Sequence, residues 1–319
     1  IAAEGRGILD DLYRRPCTPR PAAATVLPPL HRAVAWPHGQ ATLQQVHVPR
    51  LLQAAGSAVI VLQAGIGDTL QQGAPVADLH GGEVTDDAVL DGLLTGQERT
   101  FHQDPMFAFR LLADIGLRAL SPAVNDPATA VQVLDTMQSI LSPLVARDLD
   151  VADIADGSGA VRVILALPSW DDYLRTSLDD LVECAAQSPM VLLRARALLL
   201  TLLNTAPAQR QPSISWRLEH TQDLLAVNFP AIWRDANGQA ATSSPLAAER
   251  QGNRHRPSPG RGDQASGRRW AWSARRPTVR RYLRAGHPLG VSREACPGAT
   301  LGFRWLHRNC PPSSCELWR

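Results

Sequence analysis

The chain has 319 residues, 45% of them hydrophobic, and a formal charge of +2 that hides a split: residues 1–240 hold 17 arginines against 26 acids, residues 241–319 hold 15 against 4. All 32 basic residues are arginine, which excludes a Walker A phosphate loop, a pyridoxal phosphate Schiff base and a biotin or lipoate attachment point; no cofactor is implied. The longest apolar runs, 57–64 and 197–203, fall far short of the ~20 residues needed to span a bilayer.

Residues 1–15 read as a short helix. Six prolines between Pro16 and Pro37 predict a stiff extended linker, which gives residues 1–37 to a lead-in segment. From Gly39 the pattern turns to strands: Gln40–His47, Ala58–Gln63 and Gly73–Leu79, with a short helix over Pro49–Ala55 and a turn at Gly65–Asp68. The hairpins of 59–79 resemble those of small barrel-sandwich folds such as lipoyl-type domains, although the lysine is absent; an ordinary hairpin is the alternative. This defines a small β subdomain over 38–82.

His80, Glu83, Asp86, Asp87 and Asp91 offer metal-ligand chemistry. Thr85-Asp86-Asp87 reads better as an N-cap with acids in the first turn of a helix, where they complement the helix dipole. Cys17 and Cys184 are isolated, and the spacing of Cys296, Cys310 and Cys315 fits no zinc motif, so free thiols are expected and no metal is assigned.

The chain is organised around Arg99–Ala130. Asp104-Pro105 supplies a cap and first-turn proline for a helix over Met106–Leu120. That helix is apolar nearly all round except for a stripe of Arg110, Asp114 and Arg118 at i, i+4 and i+8, so most of it should be buried. Pro122 and Pro127 bias Ser121 and Asp126 away from helix. Asp126-Pro127 repeats the start signal for a second helix whose Leu134, Met137 and Leu141 share a face and which Pro143 kinks or ends.

The run Arg99-Thr100, Gln103-Asp104-Pro105, Phe107, Arg110, Asp114, Arg118-Ala-Leu-Ser-Pro122, Asn125-Asp126-Pro127 and Thr129-Ala130 resembles the signature of a bacterial predicted membrane protein family, domain of unknown function 2254. The resemblance is dense over these residues and weaker across the rest of about Gly39 to Trp233. It implies N-terminal membrane helices followed by a soluble domain, a place in the cell membrane, and no particular activity. On that reading the chain is a fragment that begins just after the last membrane helix, and residues 1–37 are juxtamembrane.

Beyond the second helix, Asp148–Gly159 reads as an acidic loop, Val161–Leu167 as a buried strand, and Ser169-Trp-Asp-Asp172 as a capping box opening a helix through Leu174, Leu178, Leu181 and Val182. Further helices start at Ser188-Pro189 and Pro212. The expected fold is α+β: the small β-barrel-like or hairpin subdomain, then a mainly helical domain over 83–236 with few strands. Over 237–319 periodicity disappears. That basic tail reads as a disordered segment that binds nucleic acid or acidic lipid, as folded, or as an out-of-frame translation of GC-rich DNA; the last is favoured because the resemblance stops where the composition changes.

Three functions follow. A binding or regulatory module would hold an anionic small molecule or lipid headgroup with Arg110, Asp114, Arg118, Ser121, Asn125 and the helix start at Asp126; the structural alternative makes these residues a charge network that keeps two helices and their loop in register. A gating or assembly domain of a transporter or channel rests on family analogy and implies homo-oligomers. A hydrolase would use Asp104, Asp114 or Asp126 with His102; the residues assemble no catalytic constellation, so binding stands ahead of catalysis.

Overall fold

The computed structural model describes residues 1–18 and 26–242, with side chains up to residue 236. The expected tail beyond 242 lies outside the described residues. In chain order the elements are α1 (Ala2–Leu12), β1 (Leu30–Ala35), β2 (Ala41–Val46), α2 (Val48–Ala55), β3 (Val59–Leu62), β4 (Thr69–Leu70), β5 (Pro75–His80), α3 (Asp86–Leu90) and β6 (Leu93–Gly96). Then follow α4 (Phe107–Ala119), α5 (Pro127–Leu144), β7 (Asp153–Ala155), β8 (Val161–Ile164), α6 (Trp170–Leu174), a π-turn (Arg175–Asp179), α7 (Asp180–Cys184), α8 (Pro189–Thr205), α9 (Gln211–Asn228) and α10 (Pro230–Thr242). The fold is mixed α+β.

The strands form two open sheets, ordered β1-β5-β3-β8-β7 and β4-β2-β6, so the hairpins do not close into a barrel. β3 and β5 pair antiparallel from Val59 opposite His80 to Leu62 opposite Ala77, whereas β4, which lies between them in sequence, joins the other sheet through β2. The free edge of β3 takes β8 in parallel, Ile60 opposite Val163. One apolar cluster, including Val34, Leu43, Ile60, Val76, Leu79 and Val163, fills the β region. A second, including Phe109, Leu134, Met137, Tyr173, Leu192, Leu199 and Ile214, fills the helical region.

Four local expectations are corrected. The proline-rich linker contains β1, paired with β5: Pro28, Pro29 and Pro37 bracket a proline-free run that retains every N–H a strand needs. The acidic loop of 148–159 contains β7, paired with β8. There Asp156 closes the turn by accepting from the Ser158 and Ala160 N–H groups, at 2.8 and 3.1 Å, and from Arg162 Nε at 2.8 Å. The helix that opens at the capping box is interrupted by the π-turn, and α10 carries helical backbone past residue 236 to Thr242.

Four helices open on a side-chain cap. His47, Thr85, Asp126 and Ser169 each accept from a backbone N–H at the start of α2, α3, α5 and α6. Pro143 falls inside the last turn of α5, which ends one residue later. Leu134, Met137 and Leu141 are fully buried.

Candidate functional site

Helix α4 turns Ala108, Phe109, Leu112, Ala113, Gly116 and Ala119 inward and leaves Arg110, Asp114 and Arg118 exposed along one stripe. Arg110 Nε lies 3.3 Å from Asp114 Oδ1 with both side chains about half exposed, so the pair contributes only about 0.3–0.5 kcal/mol. Arg118 is exposed and has no ion pair among the described residues. Beyond it the chain turns tightly. Ser121 Oγ donates to the Arg118 carbonyl at 2.7 Å, the Asn125 N–H to Ser121 O at 2.8 Å, and the Asp126 N–H to Ala119 O at 2.8 Å.

Asn125 holds φ at +47°, a left-handed conformation that Asn adopts more readily than most side chains. Asp126 then caps α5, accepting from the Thr129 N–H at 3.1 Å and the Thr129 hydroxyl at 2.6 Å. The hydroxyl, then the N–H, hold its carboxyl below the usual range. The donors at the start of α5 therefore already face a carboxylate of the chain itself.

A deeper arrangement lies at Arg99 and Asp104. Asp104-Pro105 predicts a helix cap, but α4 starts at Phe107 with no side-chain cap. Asp104 is buried and accepts from Arg99 Nε at 2.7 Å, while its other oxygen takes the Met106 N–H at 3.0 Å. Burial pushes the Asp104 carboxyl up, and Arg99 offsets that only in part. Gly67, at φ +93°, lets this pair pack on the β3–β4 turn; a Cβ there would lie 2.4 Å from both Arg99 Nη2 and Asp104 Oδ2. A cavity of about 440 Å³ is lined by Arg99, Pro105, Met106 and Arg110, by Gln63, Gly65, Ile66 and Asp68 of the β3–β4 turn, and by Ala166, Leu167, Pro168, Asp172 and Thr176. Arg99 and Asp104, five residues apart and opposite in charge, were the available signal for this pair.

The other candidates disperse. His80 Nδ1 lies 2.9 Å from Pro28 O, Asp86 pairs with Arg32, and Asp87 and Asp91 line an open groove with Trp36 and His38. Among the described residues no three His, Cys, Asp or Glu side chains converge as metal ligands. His102 is exposed, and the three acids of the hydrolase reading are committed to separate partners: Asp104 to Arg99, Asp114 to Arg110 and Asp126 to Thr129. Cys17 and Cys184 are free thiols.

Three carboxylates, two at helix starts and one in a turn, make stability acid-sensitive. Asp126 and Asp156 are held low chiefly by hydrogen bonds from Thr129 and from Ser158 with Arg162. Burial raises Asp172, but the Ser169 donors and Arg175 outweigh it. Each folded-state value lies below its unfolded one, so the contribution is full above the unfolded value of about 3.9 and is lost as pH falls through the folded values. The share of the thermal midpoint that these three carboxylates supply is expected to be level between about pH 7 and 5 and to fall below about pH 4. Calorimetry of the Asp126→Asn, Asp156→Asn, Asp172→Asn triple variant should show a flatter acid limb.

Comparison with known proteins adds a family. A family model described as "Predicted membrane protein (DUF2254)" matches residues 17–201. An uncharacterised protein of Mycobacterium bovis and two of Mycobacterium tuberculosis strains are each 39% identical over 97 residues, covering 30% of this chain and 19% of the relative. The match thus spans about a fifth of the length of these relatives. No solved structure matches the chain. Among the described residues no helix is long and apolar enough to cross a membrane.

Proposed function

The chain belongs to the DUF2254 family of predicted membrane proteins, and on that premise we propose that its described region is a binding or regulatory module for an anionic group. The group is a phosphate, borne by a small molecule or a lipid headgroup. It meets Arg118 on the Arg110–Asp114–Arg118 stripe, beside the Ser121–Asp126 loop, whose Ser121 hydroxyl and Asn125 and Asp126 N–H groups are taken up within the chain. One observation carries this reading: Arg118 is exposed without an ion pair among the described residues, and the same surface exposes Ile115 at 41% and Val124 at 53%. A cation beside apolar side chains suits the boundary between water and anionic lipid, where each basic residue contributes about 1 kcal/mol.

Arg118→Ala tests it. A solvent-exposed arginine without a partner is expected to leave unfolding within about 0.5 kcal/mol of the parent. Affinity for phosphatidylglycerol vesicles should fall about fivefold, with no change for neutral phosphatidylcholine. Unfolding of the variant supports the structural network instead, and unchanged vesicle binding removes the site. A second reading, an assembly or gating part of a membrane protein, is supported by the exposed Trp216, Val227 and Ile232 on α9 and α10; equilibrium sedimentation of the chain as a strict monomer would count against it.

A further inference from the structure

The polar groups around the 440 Å³ cavity are unevenly committed. Arg99 gives Nε and Nη2 to Asp104 and keeps Nη1. Arg110 gives Nε to Asp114 and keeps both Nη groups. On the acidic side, Asp172 spends one oxygen on the N–H and hydroxyl of Ser169 and the other on Arg175. Asp68 spends Oδ2 on the Gly65 N–H at 2.7 Å, leaving Oδ1 as the spare carboxylate oxygen of the lining. Uncommitted N–H donors therefore outnumber uncommitted carboxylate oxygens.

Thr176 adds a hydroxyl. Other helical hydroxyls return theirs to a carbonyl one turn back: the adjacent Ser177 to Tyr173 at 2.6 Å and, on α8 and α9, Thr201 to Ala197 at 2.9 Å and Thr221 to Arg217 at 2.7 Å. Thr176 makes no such bond among the described residues, and it sits in the π-turn, on the cavity wall. π-Turns inside α-helices are rare and cluster at functional sites. The remaining lining includes Ile66, Met106, Leu167 and Pro168, and the volume falls in the range of roughly 300–1,000 Å³ typical of small-molecule sites.

We infer that this cavity binds a small oxyanion, a carboxylate or phosphate, carried on an apolar stem. The oxyanion takes the spare N–H groups of Arg99 and Arg110 and the Thr176 hydroxyl, and the stem packs on Ile66, Met106 and Leu167. This goes beyond the reading of the α4 stripe and shares with it only Arg110, which neither test replaces.

The test is titration calorimetry of the full 319-residue chain with octyl phosphate, octanoate and the neutral control octanol. Octyl phosphate and octanoate are expected to bind and octanol not. Thr176→Val, which removes the hydroxyl and preserves the shape, should weaken octyl phosphate about tenfold, the value of one hydrogen bond to a charged group. Asp68→Asn should tighten it about threefold by removing a like charge. Leu167→Trp, which fills the cavity with a larger side chain, should abolish binding, so a misfolded Thr176→Val does not spare the proposal. If Thr176→Val also weakens binding to phosphatidylglycerol vesicles, the oxyanion is a lipid headgroup; if only octyl phosphate is affected, it is a soluble molecule. Octyl phosphate that fails to bind, binds Leu167→Trp unchanged, or binds more weakly to Asp68→Asn overturns the assignment.

Discussion

Replacing Arg217 with alanine is expected to destabilise the protein by about 3 kcal/mol and to lower its thermal midpoint by roughly 6–12 °C. The guanidinium, 4% exposed, binds Asp179 through Nε at 2.6 Å and Nη2 at 3.1 Å, Asp171 through Nη1 at 2.7 Å, and the Ser213 carbonyl at 2.9 Å. It therefore joins α9 to both ends of the segment that contains the π-turn. Its loss strands Asp179, which is 29% exposed, more than Asp171, which is 50% exposed and rehydrates; this places the cost at the low end for a broken buried pair. Arg217→Lys should recover little, because a single ammonium cannot make the two-pronged contact with Asp179. Urea unfolding of the three proteins checks both statements, and a lysine variant as stable as the parent would show that charge alone holds the junction.

Arg210→Met should cost a similar amount, about 3 kcal/mol, for a different reason. Arg210 is 7% exposed and donates to three carbonyls at the end of α5: Leu144 at 3.0 Å, Val145 at 2.6 Å and Arg147 at 2.6 Å. The last carbonyls of a helix have no partner within it, and here a cation supplies one while its face rests 5.3 Å from the Trp170 ring centre. Burial pulls the Arg210 pKa down, yet arginine keeps its charge at neutral pH. Methionine preserves the stem and removes every donor. Amide exchange should quicken across 206–212, where Arg210 is seated. A loss under about 1 kcal/mol would mean that water already serves these carbonyls.

Much of this architecture was legible because it is local. The Asp126-Pro127 start, the Ser169–Asp172 capping box and the α5 face of Leu134, Met137 and Leu141 follow from spacing within a few residues, and each is found. What the sequence concealed depends on distant partners. β1 was obscured by the prolines on either side of it, and it takes its partner from β5. Asp104 carries the pattern of a cap, but Arg99, folded over Gly67, claims it. Arg210 and Arg217 look like ordinary surface cations until the acceptors from α5, α6 and the π-turn are assembled around them. The exposed stripe of α4 was readable from periodicity; the cavity that shares Arg110 with it was not, since its walls come from the β3–β4 turn, α4, the segment before α6 and the π-turn.

The parallel pairing of β3 with β8 also sets an order of events. About a hundred residues separate the two strands, so closing that loop carries a large entropic cost before any contact offsets it. As the chain leaves the ribosome, β3 can pair with β5 at once, but its other edge stays open until α4, α5 and β8 have been synthesised. During that interval the apolar run Val59–Leu62 presents unpaired N–H and C=O groups to any neighbouring nascent chain, the condition under which strands associate wrongly. The step most exposed to misassembly is therefore the capture of β8, and the helices that precede it govern how long the edge remains open.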